Sequence, residues 1–155
     1  MTLLLFFTSH VSRLTPHDFS VYVSVTSSIC MILGIGVDIV EIDRIRNAVQ
    51  RWGDRFLKKI FNDDEISYCY AKKNMFQCLA ARFAAKEAFI KALSDLDAVR
   101  VSPGLTDIVV LNHPSGKPYV SLRKKNLPER YLISLTLSHE RHYAVAMVLL
   151  ETPEK

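Results

Sequence analysis

From residue 32 onward, the spacing of apolar and polar positions predicts one strand, then helices and finally more strands. The run Ile32–Val40 is short, apolar and rich in β-branched residues, which is typical of a buried strand. Gly34 and Gly36 in this run allow another backbone to approach closely. Apolar positions at helical spacing predict a helix over Glu41–Trp52, and Gly53 ends it. A second, shorter helix is predicted over Asp54–Phe61.

Two further helices are predicted ahead of the later strands. Asn62 and Glu65 have the spacing of a capping box, with Asn in place of Ser, and this pair opens a helix through about Tyr70. The long apolar stretch from Asn74 to Leu93 predicts the longest helix.

Four strand candidates follow, and Pro114–Pro118 is a turn by composition. They are Thr106–Asn112, Tyr119–Leu122, Tyr131–Ser138 and Tyr143–Glu151. Because helices come mostly first and antiparallel strands last, we expect an α+β fold: a single domain with helices packed on a small antiparallel sheet. A length of 155 residues also favours one domain.

The first 30 residues differ from the remainder of the chain. Their apolar run MTLLLFFTSH is too short to span a membrane, and no basic residue precedes it. A methionine, Met31, stands immediately before the first strand. We therefore expect residues 1–30 to be a leader, arising from an upstream reading frame, and residues 31–155 to be the domain. A weak signal peptide is the alternative.

Basic residues are concentrated between Arg44 and Lys59, in a chain whose net charge is +4. Such a segment attracts an acidic partner: a nucleic acid, an anionic membrane surface or an acidic protein. The commoner meaning of a run like this is a solvated helix face.

The three cysteines, Cys30, Cys69 and Cys78, have no metal-binding spacing. Their odd number argues against a disulfide framework and favours a reducing cytosol. Cys78 lies among apolar neighbours, which favours a packed thiol over a nucleophile.

Glu87 lies on an apolar face of the longest predicted helix, where an unpaired carboxylate would be costly. Three cations are near it in sequence: Arg82, Lys86 and Lys91. A carboxylate among cations indicates a site for a polyanion, with or without a metal. A structural ion pair between Glu87 and Lys91, four residues apart, is the alternative.

Asp38 is a second carboxylate in apolar surroundings, the one charge within the first strand. If Asp38 and Glu87 converge, they form an oxygen site suited to Mg²⁺, which takes one or two carboxylates and completes its shell with water and phosphate oxygens. Lys91 would then face the phosphate as a point charge. His139 follows a strand, and either contacts a phosphate or is a surface histidine.

Four segments, in this order, resemble one known family. They are GIGVDIVEIDRI (Gly34–Ile45), FAAKEAFIKAL (Phe83–Leu93), SGKPYV (Ser115–Val120) and LSHERHYAVAMV (Leu137–Val148). This set is similar to the holo-acyl-carrier-protein synthases, the small bacterial 4′-phosphopantetheinyl transferases. The resemblance covers about Met31–Glu151, and a 30-residue leader before the first strand departs from the family pattern.

The resemblance implies an enzyme that transfers phosphopantetheine from coenzyme A to a serine of apo acyl carrier protein, in support of fatty acid biosynthesis in the cytoplasm. By motif position, Asp38 and Glu87 would bind Mg²⁺ and Lys91 would contact phosphate. The serine would attack the β-phosphate and release adenosine 3′,5′-bisphosphate. Either a metal-bound water or Glu87 would take its proton.

The resemblance also places residues around the rest of the coenzyme and the carrier. Arg82 and His139 would contact the 3′-phosphate end of coenzyme A, and Lys117 would lie beside the nucleotide. Arg44 would dock the acidic carrier protein, with Phe56 as an apolar contact. The family forms trimers with sites between subunits, so a homotrimer is expected, with His139 supplied by a second chain.

A small basic α+β protein that binds RNA through the Arg44–Lys59 face is the rival from another functional class. It leaves Asp38 and Glu87 unexplained, and no aromatic motif of the RNA-recognition type supports it. We therefore expect neither a nucleic-acid partner nor a membrane partner.

Overall fold

A computed structural model describes residues 31–94, 96, 103–123 and 131–152. The elements are β1 (Met31–Glu41), α1 (Ile42–Trp52), α2 (Asp54–Ile60), α3 (Asp63–Tyr70), α4 (Met75–Ser94), β2 (Ile108–Asn112), β3 (Pro118–Leu122), β4 (Leu132–His139) and β5 (Tyr143–Thr152). Every predicted helix and strand is present, with bounds shifted by a residue or two. The proposed leader lies outside the described residues.

Local signals determine where the first three helices begin and end. Gly53 separates α1 from α2 with a φ of 52°, a left-handed value that favours glycine. The predicted capping box is confirmed: Asn62 Oδ1 accepts the Glu65 backbone N–H at 2.8 Å, and Glu65 Oε2 accepts the Asn62 backbone N–H at 3.0 Å.

The strands form two antiparallel sheets, which confirms the α+β class. The larger has the order β1-β5-β4, and β2 pairs with β3 in the smaller. Helix α4 packs on β1 and β5 and also contacts α1, α3, β2 and β4. It is therefore the central element of the core, buried on most of its sides.

Alternation along the larger sheet separates a helix-facing side from an outer side. The helix-facing side includes the register rows Asp38–Ala146–Leu137 and Val40–Ala144–His139. The outer side is apolar but exposed in the single chain; its large residues there are Ile35, Val37, Ile39, Leu132, Tyr143 and Met147.

Close contact between β1 and α4 depends on Gly36. A Cβ atom at this position would lie 1.8 Å from the Ala88 carbonyl oxygen and 2.7 Å from the Ala92 backbone nitrogen. Because both obstacles are backbone atoms, only glycine fits, as the sequence pattern predicts. Asp38 projects from the same face of β1 two residues later, so this contact brings it to α4.

Within the described part of the chain, no helix is long and apolar enough to cross a bilayer.

Candidate active site

Asp38 and Glu87 line the same cavity. The cavity has a volume of about 700 Å³ and lies between β1, α1, the start of α2 and α4. Arg44 and Phe56 line it as well. Two carboxylates from distant parts of the sequence thus share one cavity with both residues expected to dock a carrier protein.

The surroundings of the two carboxylates differ. Asp38 accepts a hydrogen bond from Lys91 Nζ to Oδ1 at 2.8 Å, and the same ammonium donates to the Val37 carbonyl oxygen at 3.0 Å. Among the described residues, no cation lies within ion-pair distance of Glu87. Lys91 therefore pairs with Asp38 rather than with Glu87, which corrects the alternative of an ion pair within the helix.

The fully buried charge of α4 is Lys86, whereas Glu87 is half-buried at the cavity wall. Lys86 Nζ donates to Glu65 Oε2 at 2.7 Å and to the carbonyl oxygens of Ile60 at 2.8 Å and Leu105 at 2.9 Å. Burial lowers the pKa of Lys86, and the Glu65 carboxylate opposes that shift. Because α4 is packed on most sides, its sequence periodicity did not identify the most buried position.

Glu65 joins this ion pair to the smaller sheet. Its Oε1 accepts the Val110 backbone N–H at 3.0 Å. One carboxylate thus links the start of α3, the middle of α4 and strand β2. This network fixes the position of α4, and with it the position of Glu87.

A second cavity, of about 420 Å³, brings Arg82 and His139 together. Arg82 is 3% exposed, and its Nη2 donates to Asn112 Oδ1 at 2.9 Å. Its guanidinium lies 4.3 Å from the Tyr68 ring centroid, and among the described atoms its Nε has no hydrogen-bond partner. Burial lowers the pKa of Arg82, with nearby Glu65 and Tyr68 opposing. A buried cation without an ion-pair partner in the described residues makes this cavity suited to an anion.

The position of His139 depends on the turn that follows it. Glu140 accepts the backbone N–H groups of Arg141 at 2.6 Å, His142 at 2.7 Å and Tyr143 at 3.0 Å. These hydrogen bonds lower the pKa of Glu140, and the one from the His142 backbone has the largest effect. Gln77 of α4 donates to the Glu140 carbonyl oxygen at 3.1 Å. The turn is thereby tied to the helix that carries Arg82.

Lys117 lies in the exposed turn between β2 and β3 and lines neither cavity, although its neighbours Gly116 and Pro118 line the second. Its backbone oxygen accepts the His113 N–H at 2.9 Å, and Asn112 Nδ2 donates to the Gly116 oxygen at 2.9 Å. The backbone of this turn, rather than the Lys117 side chain, forms part of the cavity wall.

The cysteines differ from the expectation. Cys69 and Cys78 form a disulfide with a Cα–Cα distance of 5.4 Å, so the prediction that Cys78 is a packed free thiol is wrong. The odd number of cysteines could not exclude a single pair, because it does not report which side chains the fold brings together.

Several residues that line the two cavities were missed from sequence. Arg51 and Trp52 lie in the first cavity, and Tyr68 and Asn112 lie in the second. Arg51 and Trp52 belong to the basic run and were within reach of sequence reasoning. Tyr68 and Asn112 carry no motif, and only their contacts with Arg82 identify them.

Comparisons with known proteins identify the family of this chain. A family model for the 4′-phosphopantetheinyl transferase superfamily matches residues 34–148. A holo-acyl-carrier-protein synthase from Halothermothrix orenii is 44% identical over 129 residues, covering 78% of this chain and 98% of that protein. The synthase from Chlorobaculum tepidum is 46% identical over 119 residues, covering 76% and 97% of the two chains.

Solved structures of synthases share the fold. The Helicobacter pylori synthase in complex with coenzyme A is 30% identical, with a TM-score of 0.62 and coverage of 75% of this chain and 98% of that chain. The Neisseria meningitidis synthase is 30% identical, with a TM-score of 0.67 and coverage of 79% and 100%. The chain therefore belongs to the holo-acyl-carrier-protein synthase family of the 4′-phosphopantetheinyl transferase superfamily.

Proposed function

We propose that Asp38 and Glu87 form the centre at which this protein transfers 4′-phosphopantetheine from coenzyme A to a serine of apo acyl carrier protein. The observation that carries the proposal is their convergence on one cavity, in a chain of the synthase family. Relatives bear the synthase name, and the Helicobacter pylori relative was solved with coenzyme A. Family membership favours this enzyme over an RNA-binding protein.

The donor set of this cavity fits Mg²⁺. No group of three or more His, Cys, Asp or Glu side chains with metal-binding geometry exists in the described residues. Two carboxylates are nevertheless enough for Mg²⁺, which obtains its remaining oxygens from water and phosphate. When bound, the ion would neutralise pyrophosphate charge. Asp38 and Glu87 are the residues that would hold it.

Lys91 supplies a second positive charge beside Asp38. Its side chain is 53% exposed, whereas that of Asp38 is 17% exposed, so the ammonium faces solvent while remaining hydrogen-bonded. In that position it can contact a phosphate of the coenzyme without leaving the Asp38 carboxylate. We assign it to stabilising the charge that develops on the leaving phosphate.

The reaction forms one bond and breaks one. The carrier serine oxygen bonds to the β-phosphorus, and the bond from that phosphorus to the bridging oxygen breaks. The bridging oxygen leaves with adenosine 3′,5′-bisphosphate. Glu87, which has no ion-pair partner in the described residues, is our choice of acceptor for the serine proton.

The second cavity is the proposed site for the nucleotide end of coenzyme A. Arg82 and His139 would contact the 3′-phosphate, because both line this cavity and Arg82 has no ion-pair partner in the described residues. The adjoining turn would lie beside the nucleotide. Contact by the Lys117 ammonium stays a prediction of family resemblance.

We propose a homotrimer from the family resemblance, which implies sites between neighbouring subunits. Asp38 and His139 line two different cavities, and in such an assembly Asp38 of one subunit and His139 of another would bind one coenzyme. The exposed apolar outer side of the larger sheet offers the area for such contacts.

Met147, 41% exposed at the middle of that outer side, provides a test. The unaltered protein should sediment at three times the 17.6 kDa chain mass. Met147→Glu should sediment as a single chain with unchanged circular dichroism, because a carboxylate is tolerated in water but not in an apolar interface. Ser121→Glu, on the smaller sheet, should leave the trimer intact. A single-chain mass for the unaltered protein would refute the trimer.

A direct activity test uses purified protein, apo carrier, coenzyme A and Mg²⁺. The carrier should gain the mass of one phosphopantetheine group. We propose a carrier of fatty acid synthesis in the cytoplasm as the partner, so that carrier should react faster than carriers of other pathways. Absence of any mass gain with every carrier would overturn the proposed function.

The carrier is proposed to dock at the rim of the first cavity, through Arg44 and Phe56. Arg51 and Trp52 extend the same surface, with the Arg51 guanidinium 5.0 Å from the Trp52 ring centroid. Cations next to exposed aromatic surface suit an acidic helical protein that also presents apolar side chains.

Reversing the charge of Arg44 tests this docking surface. Arg44→Glu should raise the KM for the carrier about tenfold or more at low salt, with kcat changed little, because it adds repulsion only where the carrier binds. The measurement is initial rate against carrier concentration at two ionic strengths. Arg123→Glu makes the same charge change outside both cavities and should leave KM near the unaltered value. An unchanged carrier KM for Arg44→Glu would show that docking occurs elsewhere.

A further inference from the structure

The Cys69–Cys78 disulfide lies against the anion-binding residue of the second cavity. Cys69, in the last turn of α3, is fully buried, and Cys78 is partly exposed in the first turn of α4. The Cys78 Sγ atom is 3.0 Å from Arg82 Nη1. Cys78 also lines that cavity. The sulfur is therefore in contact with the guanidinium proposed to bind the coenzyme.

The disulfide also closes the segment that forms one wall of this cavity. Tyr68, Lys72 and Asn74 all line the cavity from the end of α3 and the turn after it. The Tyr68 ring centroid lies 4.3 Å from both the Lys72 ammonium and the Arg82 guanidinium. A covalent link between α3 and α4 holds this wall and its cations in place.

From these contacts we propose that Cys69 and Cys78 are a redox-responsive pair that positions Arg82 and sets the affinity of the protein for the 3′-phosphate of coenzyme A. The inference rests on the proposed function, since it takes that phosphate as the ligand of the second cavity. Cys69 and Cys78 act through Arg82 and are positioning residues. Neither is a catalytic residue.

The two redox states differ in the charge next to Arg82. In the disulfide, Cys78 sulfur is neutral, and Arg82 keeps its positive charge for a phosphate. In the reduced state the guanidinium stabilises negative charge on the freed Cys78 sulfur. That thiolate competes with phosphate for Arg82, and the wall loses its covalent link. Reduction should therefore weaken binding.

The oxidant is a low-molecular-weight disulfide. The Cys78 thiolate attacks one of its sulfurs, forms a mixed disulfide and releases one small thiol. The Cys69 thiolate then attacks Cys78 sulfur and releases the second small thiol. Two protein thiols lose two protons and two electrons in all, and one small disulfide becomes two small thiols. A small dithiol reverses the reaction.

Binding of adenosine 3′,5′-bisphosphate to the full chain tests the proposal without transferase activity. Titration calorimetry compares protein treated with glutathione disulfide and protein treated with dithiothreitol, and peptide mapping verifies the state of Cys69 and Cys78. The oxidised protein should bind about threefold to tenfold more tightly, the effect expected when a charged hydrogen bond is weakened. Adenosine 5′-monophosphate, which lacks the 3′-phosphate, should bind the oxidised and the reduced protein with the same affinity.

Three variants separate this effect from general changes in the protein. Cys69→Ser and Cys78→Ser should each abolish the response to redox treatment, and Cys30→Ser should retain it. Equal affinity of both redox states for the bisphosphate would overturn the proposal. An equal change in affinity for the monophosphate would also overturn it. Failure of Cys69 and Cys78 to form a disulfide under oxidation would do the same. Redox-dependent binding without carrier modification would instead refute the transferase function alone.

Discussion

Replacement of Glu87 by glutamine should lower kcat at least about a hundredfold, the scale on which a charged group acting in the transition state contributes. The substitution keeps the shape of the side chain and removes both the charge and the proton acceptor. Asp38→Asn should have a comparable effect, because it also removes the partner of the Lys91 ammonium. The measurement is the rate of carrier mass gain with saturating coenzyme A, at several Mg²⁺ concentrations.

The same experiment needs a carboxylate that lies outside the cavity. Asp63, exposed at the start of α3, provides one, and Asp63→Asn should retain activity within about twofold. Glu87→Gln should melt at nearly the same temperature as the unaltered protein, since Glu87 is half-buried without an ion-pair partner in the described residues. Full activity of either cavity variant would exclude Asp38 and Glu87 as the catalytic centre.

The elements were predictable because their signals are local. The capping box of Asn62 and Glu65 involves residues three apart, and the positive φ of Gly53 follows from the need to separate two helices. The alternation of β4 separates Leu135 inside from Thr136 outside over a single step. None of these features requires knowledge of a distant part of the chain.

The convergence of Asp38 and Glu87 follows from one tight contact that the sequence indicated only in part. Gly36 was expected to allow close approach of backbone, but its partner was not known. The structure identifies Ala88 as that partner, next to Glu87 in sequence. Since Asp38 lies on the same face of β1 as Gly36, the contact that requires glycine also brings the two carboxylates to one cavity.

Partners that lie on different helices could not be predicted. Lys86 was noted only as a neighbour of Glu87, and its actual partner, Glu65, lies on another helix. Cys69 and Cys78 also lie on different helices, and their pairing depends on how α3 turns back toward α4. In both cases tertiary packing determines the contact, and neither the sequence spacing nor the composition predicts it.

Lys86→Met should destabilise the protein by about 3–5 kcal/mol, the usual cost of removing one member of a buried ion pair. Glu65 would remain fully buried without its cation, and the carbonyl oxygens of Ile60 and Leu105 would lose a donor. Typical domains are stable by about 5–15 kcal/mol, so this is a large fraction of the total. Thermal melting should show a decrease of about 10 °C.

A double-mutant cycle distinguishes loss of the ion pair from loss of packing. Glu65→Gln should also destabilise, because it leaves the Lys86 ammonium without a counter-charge. The double variant should lose clearly less free energy of unfolding than the two single variants lose together, because no isolated charge then remains buried. Lys58→Met, at an exposed site on α2, should change stability by less than about 0.5 kcal/mol. Additive effects of the two single changes would mean that Glu65 and Lys86 stabilise the fold independently, and that their contact does not hold α4, and with it Glu87, in position.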